Sequence, residues 1–392
     1  MSVRTVRPVR TALAAVAVAA AVALTAPAAA NASGPAPEKS GGGHRATQKA
    51  LEAAVADGVP GALAQARDGR HTWTGAAGVA DLTSGRERQG KDVYRVGSIT
   101  KTFVATVLLQ LEAEGRLDLD DTVDRWLPGV VKGNGHDGRR ITLRQLLNHT
   151  SGVYSVTSDP EFQDTIFGPG FLEHRYDTWT PRQLVAIAMT HKPDFAPGTS
   201  WNYSNTNYVL AGMVIEKATG RPYGKEVERR IIKPLKLRST SVPGKDVTMP
   251  KPSGRAYSKL NGDPKPGDPV HDVTELSPTI AHAAGEMISN SGDLQRFYRA
   301  LLGGELLPPA QLKAMTDTVT VTMEGAEFGY GLGLMKQKLS CGTEVWGHGG
   351  GIHGSSSQAQ VSRDARHSLA LNFNGDWSGD SQKVVEAEFC GK

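Results

Sequence analysis

The sequence predicts an α+β fold with an antiparallel sheet built from both ends of the mature chain, helices on its faces and an inserted, mostly helical region. Two observations support this prediction. Segments with strand character occur near both ends, at 62–80 and 329–374, whereas helical spacing dominates from Thr142 to Leu237. Because a sheet must bury its apolar faces against other elements, the economical arrangement joins the two ends in one sheet covered by helices. An active site would lie in the crevice between the two parts.

The N-terminal segment 1–32 has the pattern of a cleaved secretory signal peptide. Three arginines precede an apolar run from Ala12 to Ala26, and small residues follow up to Ala32. The run is shorter than the roughly 20 residues that a membrane-spanning helix needs, and no cysteine lies at the cleavage site to carry a lipid anchor. We therefore expect a secreted, extracellular protein without a membrane anchor, cleaved near Ala32.

The charge balance gives no argument for a nucleic-acid partner. The whole chain has a formal charge of +4, and residues 1–32 contain three Arg and no acidic side chain. The basic excess therefore belongs largely to the export signal rather than to a binding surface of the mature protein.

Turn residues and apolar spacing predict the elements of the first two thirds of the chain. Residues 33–46, rich in Ser, Gly, Pro and Ala, are expected to form a flexible tail. Two strands are expected around an Asp68-Gly69 turn, and a long helix from Ser98 to Glu114. Further helices are predicted at 46–57, 142–148, 180–190, 205–219 and 224–235, and a loop at 240–275.

Strands return in the final third. They are predicted at 329–339, 343–347, 355–362 and 367–374, with helices at 292–302, 308–316 and 378–389. We therefore divide the mature chain into a sheet-and-helix subdomain, residues 47–97 and 276–392, and a mostly helical subdomain, residues 98–275.

The chain contains two cysteines, Cys341 and Cys390. Export favours a disulfide between them, which would tie the strand region to the last helix; two reduced thiols in the core are the alternative. In the loop-entropy model a bridge across so long a loop is worth roughly 4 kcal/mol. Two cysteines fall short of the four ligands of a usual zinc site, and the chain has no H-E-x-x-H helix. We therefore expect no metal and no other cofactor.

A first candidate for chemistry is the segment Ser98-Ile99-Thr100-Lys101. Residues three apart on a helix share one face, so the Ser98 hydroxyl and the Lys101 amine would lie close together. Burial and the positive end of the helix dipole both favour a neutral amine, which can accept the hydroxyl proton. The alternative is a surface lysine that follows a helix-capping serine.

A second candidate is Tyr203-Ser204-Asn205, ahead of a predicted helix. Asn205 offers an amide that can hold a substrate carbonyl. The phenol of Tyr203 has a reference pKa of about 10 and becomes a base near neutral pH only if a cation lowers that pKa. We expect Lys101 to be this cation, so that Lys101 and Tyr203 act as a coupled pair. The alternative is a tyrosine that plugs the N-terminus of the helix.

A third candidate is the glycine stretch from Gly347 to Gly351, which contains His348 and follows a predicted strand. Small residues such as Gly349 and Gly350 let a substrate backbone approach closely and add as another strand. A backbone N–H there, with that of Ser98, would form an oxyanion hole. The His-Gly-Gly-Gly motif of α/β-hydrolase lipases is excluded, because the chain contains no G-x-S-x-G pentapeptide.

From about residue 47 to the C-terminus the chain resembles the β-lactamase-like serine hydrolases, the superfamily of penicillin-binding DD-peptidases, class C β-lactamases, D-aminopeptidases and related esterases. It is most similar to secreted D-alanyl-D-alanine carboxypeptidases, including the late cysteine pair. The segments that carry the resemblance are Arg95–Lys101, Leu146–Gly152, and Pro197-Gly198 ahead of Trp201–Asn205.

This resemblance implies roles for the candidate residues. Ser98 would be acylated, and Lys101 and Tyr203 would transfer protons. His348 would replace the lysine of the family's Lys-Thr-Gly triplet, and the backbone N–H groups of Ser98 and Gly351 would form the oxyanion hole.

The chain departs from the carboxypeptidases where they hold a substrate carboxylate. His348 has a reference pKa near 6.5 and would be mostly neutral at pH 7. Gly349 and Gly351 replace hydroxyl residues, and Met335 stands where an arginine is expected, with Lys336 directed to the opposite face. Since one charged hydrogen bond is worth roughly 1.5–3 kcal/mol, these departures weaken the recognition of a terminal carboxylate.

The sequence thus predicts a secreted, monomeric serine hydrolase that acts on D-amino-acid peptides, similar to a D-Ala-D-Ala carboxypeptidase. Its partners would be small peptides or peptidoglycan fragments, with β-lactams as acylating inhibitors. A D-stereospecific amidase or aminopeptidase, or a carboxylesterase, is the alternative that the weakened carboxylate site favours. A β-lactamase and a non-catalytic penicillin- or peptidoglycan-binding protein are further alternatives.

Overall fold

A computed structural model describes residues 43–323 and 325–391. Its α-helices are α1 (Arg45–Ala56), α2 (Thr100–Ala113), α3 (Val123–Trp126), α4 (Leu143–Leu147), α5 (Pro160–Ile166), α6 (Phe171–His174), α7 (Pro181–Met189), α8 (Asn205–Thr219), α9 (Tyr223–Val227), α10 (Ser291–Leu302), α11 (Pro309–Thr316) and α12 (Ser381–Cys390).

The strands include three pairs of two-residue strands besides those of the main sheet. In chain order they are β1 (Gly61–Asp68), β2 (His71–Gly78), β3 (Tyr94–Arg95), β4 (Lys132–Gly133), β5 (His136–Asp137), β6 (Tyr257–Ser258), β7 (His271–Asp272), β8 (Ile288–Ser289), β9 (Val319–Met323), β10 (Ala326–Tyr330), β11 (Met335–Lys338), β12 (Glu344–Ile352), β13 (Ser355–Ser362) and β14 (His367–Phe373).

The main sheet is antiparallel and joins the two ends of the described chain. Its order is β2-β1-β14-β13-β12-β11-β10-β9. The N-terminal hairpin β1–β2 turns at Asp68, and β1 pairs with β14 in the register Ala62↔Phe373. The predicted fold class, a sheet built from both chain ends and flanked by helices, is therefore confirmed.

Side chains alternate between the two faces of this sheet. On β1, Leu63 belongs to a large core with helices α2, α8 and α10, whereas Ala62 and Ala64 belong to a smaller core with α1 and α12. This period of two is the one that a sheet covered on both faces requires. The molecule is therefore layered, with α1 and α12 on one face and α2, α8 and α10 on the other.

Helix α2 is the most enclosed element near the predicted nucleophile. Eleven of its fourteen residues are buried, including Lys101. A helix that is apolar on all sides belongs in the interior rather than at the surface. The amine of Lys101 is consequently removed from water.

The structure corrects a strand prediction in the final third and adds elements that were not predicted. The segment predicted as one strand at 329–339 forms the end of β10 and, after a turn at 331–334, β11. Gly331 marks the break, because a Cβ there would lie 2.1 Å from the carbonyl oxygen of Met315. Strand β9 and the short helices α3, α5 and α6 were not predicted, whereas the loop at 240–275 contains only the short strands β6 and β7.

Cys341 and Cys390 form a disulfide that links the segment after β11 to the end of α12. The predicted bridge is therefore present. It fastens α12 to the edge of the sheet that it covers.

The N-terminal predictions lie mostly outside the described residues. Residues 1–32, interpreted as a signal peptide, and residues 33–42 of the expected tail are not described, and α1 begins at Arg45, within the tail's predicted end. None of the helices between residues 43 and 391 has the length and apolar character to cross a bilayer. The division into subdomains stays a prediction.

Candidate active site

Ser98 lies in a tight turn rather than in the long helix predicted for it. A 3₁₀ turn covers Gly97–Ile99, and α2 begins at Thr100. Gly97 has φ +52°, a left-handed conformation that glycine adopts without steric cost. Ser98 is partly exposed while both of its neighbours are buried. The turn therefore presents one hydroxyl to the crevice at the start of a buried helix.

The structure brings Lys101 and Ser98 together. The Lys101 Nζ lies 3.0 Å from the Ser98 Oγ, 2.7 Å from the Asn205 Oδ1 and 2.7 Å from the carbonyl oxygen of Ala284. Burial lowers the pKa of the Lys101 amine well below its ordinary value, which favours the neutral form. The alternative of a surface lysine is therefore excluded.

The neighbours of Lys101 determine how a neutral amine is oriented. Such an amine has two N–H donors and one lone pair. The Asn205 Oδ1 and the Ala284 carbonyl can only accept hydrogen bonds, so they take both N–H groups. The remaining lone pair then faces the Ser98 hydroxyl and can accept its proton.

Tyr203 lies near the same hydroxyl. The Ser98 side chain is close enough to the phenol to act on its pKa, and the ring centroid lies 4.8 Å from the Lys101 Nζ. Burial raises the pKa of Tyr203 above its ordinary value. The expectation that Lys101 lowers this pKa is therefore wrong, since the lysine is itself held neutral. Tyr203 is protonated in the resting site and can donate a hydrogen bond or a proton.

Asn205 begins helix α8 beside these groups. Its Oδ1 accepts from Lys101, and its Nδ2 donates to the Thr157 Oγ1 at 2.9 Å. An amide nitrogen carries two hydrogens, so one N–H remains for a substrate carbonyl. The structure thus places Asn205 where it orients Lys101, a role that the sequence did not predict.

The glycine strand β12 runs directly against the turn that carries Ser98. A Cβ at Gly350 would lie 1.9 Å from the Val96 carbonyl oxygen and 2.9 Å from the Ser98 nitrogen. A Cβ at Gly97 would lie 2.8 Å from the Gly351 nitrogen. Only glycines allow these two backbones to approach so closely. The backbone of Gly351, expected to supply an oxyanion donor, is therefore beside the turn of Ser98.

Part of β12 lacks a strand neighbour on one side. Strand β11 pairs with it only from Met335↔Gly347 to Lys338↔Glu344. Within the described residues, the stretch from His348 to Ile352 is therefore paired on the β13 side alone. An unpaired strand edge is the type of surface to which an extended peptide adds.

His348 belongs to the aromatic group behind Ser98. The His348 side chain is 2% exposed, and its ring centroid lies 6.4 Å from that of Tyr203. Its Nε2 is 3.0 Å from the Tyr330 hydroxyl, and its Nδ1 is 2.5 Å from the Gly349 carbonyl oxygen. Burial, with a smaller contribution from Lys101, lowers the pKa of His348 to about 3. The ring is therefore neutral near pH 7, and both of its nitrogens have partners inside the protein.

The neighbouring strand β11 supplies no cation to the crevice. Met335 packs against the buried cluster of Val321, Phe328 and Tyr330. The Lys336 Nζ lies 2.8 Å from a carboxylate oxygen of Glu344 and over the ring of Trp346. The lysine is thus neutralised on another face of the strand, as the alternation of strand side chains predicted.

His149 is a buried member of the site that the sequence analysis did not identify. Its Nε2 lies 3.1 Å from the Tyr330 hydroxyl, and its Nδ1 lies 3.1 Å from the backbone nitrogen of Ser204. The segment Leu146–Gly152 contributed to the family resemblance, but its histidine was given no role. A histidine followed by Thr-Ser-Gly carries no general physical signal for an active site, so only the fold reveals it.

Metal binding finds no support in the described part of the chain, where no group of three or more His, Cys, Asp or Glu side chains is arranged to hold an ion. The chemistry available at Ser98 is therefore that of a hydroxyl, an amine, a phenol and backbone donors. These are the parts of an acyl-transfer site.

Comparison with known proteins assigns the fold to a family. A family model described as Beta-lactamase matches residues 47–387. The chain belongs to the Beta-lactamase family. The match includes all of the groups just described, and it agrees with the resemblance drawn from the sequence.

Among curated proteins, relatives with different names are similar to the chain. It is 27% identical over 339 residues to Penicillin-binding protein 4* of Bacillus subtilis (strain 168), covering 83% of this chain and 70% of that protein. It is 32% identical over 206 residues to Esterase EstB of Burkholderia gladioli, covering 51% of this chain and 50% of that protein.

Among solved structures, higher identities occur with a D-stereospecific amidohydrolase and a D-amino acid amidase. A D-stereospecific amidohydrolase from Streptomyces sp. is 73% identical with a TM-score of 0.84, covering 89% of this chain and 99% of that chain. A D-amino acid amidase from Ochrobactrum anthropi SV3 is 32% identical with a TM-score of 0.74, covering 87% of this chain and 97% of that chain. The Beta-lactamase-family protein is therefore a serine hydrolase of this fold.

Proposed function

We propose that this protein is a D-stereospecific amidohydrolase that works through an acyl ester on Ser98. This was the alternative in the sequence analysis, and it is better supported than a D-Ala-D-Ala carboxypeptidase. The observation that carries it is that Met335, Lys336 and His348, the positions at which a carboxylate-binding cation was considered, offer the crevice none. The 73% identity to a D-stereospecific amidohydrolase supports the same choice.

The charges around the crevice explain this preference. A carboxypeptidase must bind a carboxylate next to the bond that it cleaves, and a carboxylate buried without a cation loses several kcal/mol of hydration. Here His348 is neutral, Met335 is apolar and Lys336 is paired with Glu344. An amide or another uncharged leaving group needs no such cation. The site therefore accepts substrates with neutral ends.

In the first half of the proposed reaction, the neutral Lys101 amine takes the proton of Ser98 while the Oγ attacks the substrate carbonyl carbon. The negative oxygen that forms is held by the backbone N–H groups of Ser98 and Gly351. Removing one such donor typically costs about 10²–10³ in rate. The C–N bond then breaks as Tyr203 protonates the leaving nitrogen, and the Lys101 ammonium returns a proton to the Tyr203 phenolate.

In the second half, water replaces the leaving amine. Its proton passes to the Lys101–Tyr203 pair as its oxygen attacks the acyl carbon, and the ester bond breaks when the Ser98 Oγ regains a proton. The sum is one amide and one water converted to one carboxylic acid and one amine. Each proton is returned, so no cofactor is consumed.

A substrate panel on the mature protein tests the proposal. It compares D-alaninamide with L-alaninamide, and D-Ala-D-Ala with its C-terminally amidated form. We expect turnover of the D-amide with little of the L-amide, and faster cleavage of the amidated dipeptide than of the free acid. Faster cleavage of the free acid would instead support a carboxypeptidase. A short acyl ester in the same panel measures esterase activity, and Ser98→Ala is the control for each substrate.

The nucleophile is tested separately with benzylpenicillin, because β-lactams are expected to acylate Ser98. Intact-protein mass spectrometry should detect an adduct of the mass of the penicillin, and this adduct should be missing in Ser98→Ala. An adduct that survives the substitution refutes Ser98 as the acylated residue.

We further infer that residues 1–32 are removed during export. The basic start, the apolar run and the small residues before Ala32 support this inference. Expression of the full chain in a Gram-positive host should yield culture medium that contains a protein whose mass corresponds to cleavage near Ala32. Retention of the uncleaved chain inside the cells contradicts it.

A further inference from the structure

Three buried rings connect the segment after Tyr203 to the glycine strand. The backbone nitrogen of Ser204 lies 3.1 Å from the His149 Nδ1, and the His149 Nε2 lies 3.1 Å from the Tyr330 hydroxyl. That hydroxyl lies 3.0 Å from the His348 Nε2, and the His348 Nδ1 lies 2.5 Å from the Gly349 carbonyl oxygen. Four consecutive hydrogen bonds therefore run behind Ser98 without including it.

The donor-to-acceptor direction of these four hydrogen bonds is determined at the Ser204 end. The backbone N–H of Ser204 can only donate, so the His149 Nδ1 must accept. The Nδ2 group of Asn207, 3.2 Å away, donates to the same nitrogen. A neutral His149 consequently carries its proton on Nε2 and donates it to Tyr330. The single hydroxyl hydrogen of Tyr330 is then available for the His348 Nε2.

The Gly349 end of the hydrogen-bond series requires the same donor-to-acceptor direction. The carbonyl oxygen of Gly349 can only accept, so the His348 Nδ1 must carry a proton. The His348 Nε2 is then the acceptor for Tyr330. The two histidines therefore have opposite tautomers, and each tautomer is determined by the backbone of a different element.

We infer that His149 and Tyr330 are positioning residues, which with His348 hold the glycine strand in register with the Tyr203 segment. This inference rests on the proposed function, because the strand carries the expected oxyanion donor and the segment carries the expected proton donor. Neither residue contacts a reacting atom. Their effect reaches the reaction through the placement of Gly351 and Tyr203.

The hydrogen-bond series requires both imidazoles to be neutral, because a protonated ring cannot accept a hydrogen bond. The titratable groups that face the rings are Lys101, Tyr203, Tyr208 and Tyr298, together with the rings themselves. Burial lowers the pKa of His149 well below its ordinary value. The arrangement is therefore stable across the pH range in which an amidase would be assayed.

Histidine tautomers provide a test that does not depend on activity. Long-range proton–nitrogen correlation spectra of the folded protein distinguish the protonated ring nitrogen from the bare one. At pH 7 we expect His149 to be protonated on Nε2 and His348 on Nδ1, assigned by comparison with His149→Gln and His348→Gln. Equal tautomers, or a doubly protonated ring, would overturn the inference whatever the substrate is.

The variant Tyr330→Phe tests whether the hydrogen-bond series affects turnover, since it removes the hydroxyl that links the two histidines. The matched control is Tyr94→Phe, whose hydroxyl is also buried and lies 2.9 Å from the Ser291 Oγ outside the site. We expect kcat on a D-amide to fall about 10–100-fold in Tyr330→Phe, as for other residues that orient catalytic groups. KM should change by no more than about twofold, because the hydrogen-bond series positions groups that stabilise the transition state rather than groups that bind the substrate.

The outcomes separate this inference from the proposed function. If kcat of Tyr330→Phe equals that of Tyr94→Phe, the positioning role is refuted although the enzyme remains an amidase. If the wild-type protein turns over no D-amide, the proposed function fails. The tautomer measurement still decides whether the four hydrogen bonds from Ser204 to Gly349 are formed.

Discussion

At the scale of single residues, the site depends on an amine without a charge. Lys101 is completely buried on α2, and its pKa is lowered by this burial. A lysine whose folded pKa lies below its unfolded value is the active base above the folded pKa and loses that function as the pH falls through it. Burial thus favours the neutral amine of Lys101, which in the proposed mechanism accepts the proton of Ser98.

The pH profile should report this directly. We expect kcat/KM to fall on the acid side as Lys101 gains a proton, and to stay level on the alkaline side up to about pH 10, because the pKa of Tyr203 is raised. In Tyr203→Phe the acid limb should remain at the same pH while kcat falls about 10²–10⁴-fold. If the acid limb disappears in Tyr203→Phe, the titrating group is the Tyr203 phenol rather than the Lys101 amine.

A second prediction concerns the charge of residue 348. In His348→Lys the ratio of kcat/KM for D-Ala-D-Ala to that for its amidated form should rise about tenfold or more, since one charged hydrogen bond is worth about 1.5–3 kcal/mol. The neutral control His348→Gln should leave the ratio unchanged. The ratio cancels losses common to both substrates, so a fall in overall activity does not obscure the result. An unchanged ratio in His348→Lys would show that residue 348 does not determine carboxylate recognition.

At the scale of elements, the glycines of β12 form the wall of the site. A Cβ at Gly350 would meet the backbone of Val96 and Ser98, whereas a Cβ at Gly351 would meet no atom within 4 Å. We therefore expect Gly350→Ala to destabilise the fold by about 1–3 kcal/mol through overpacking and to abolish most turnover.

Thermal unfolding measures the first effect, with Gly351→Ala as the control for stability only. The melting temperature should fall in Gly350→Ala and stay near the wild-type value in Gly351→Ala. Equal melting temperatures would mean that the strand and the turn of Ser98 can move apart without cost.

The elements also show why sequence periodicity succeeded in some places and failed in others. Helix α8 was predicted with the bounds that it has, because its apolar pattern is uninterrupted. Strand β13 was also predicted with its observed bounds. The break between β10 and β11 was missed because it depends on Gly331 approaching the Met315 carbonyl, a contact from a distant element. Ser98 was placed in a helix for a similar reason, since the tight turn at Gly97 exists to meet the strand β12.

The same limit applies to the site. The contact between Ser98 and Lys101 could be predicted from the sequence, because residues three apart on a helical turn share one face, and the structure contains it. His149 and Tyr330 could not, because their partners come from other elements and neither touches the nucleophile. Asn205 was identified, but its contact with the amine of Lys101 required the packing of α8 against α2.

At the scale of the whole molecule, the disulfide fastens α12 to the sheet on the face opposite to α2. We expect Cys341→Ser combined with Cys390→Ser to lower the free energy of unfolding by about 2–4 kcal/mol, with kcat on a D-amide nearly unchanged. Chemical denaturation with parallel assays measures both quantities. A large loss of kcat in a protein that is still folded would mean that the bridge shapes the crevice.

The pairing of β1 with β14 has a consequence for synthesis. The first long strand of the described chain has as its neighbours only its own hairpin partner and the last strand. Contacts so distant along the polypeptide form late, because the intervening loop must close first. The main sheet therefore cannot be completed until the residues of β14, near the end of the described chain, have been added, and a partly synthesised chain stays inert.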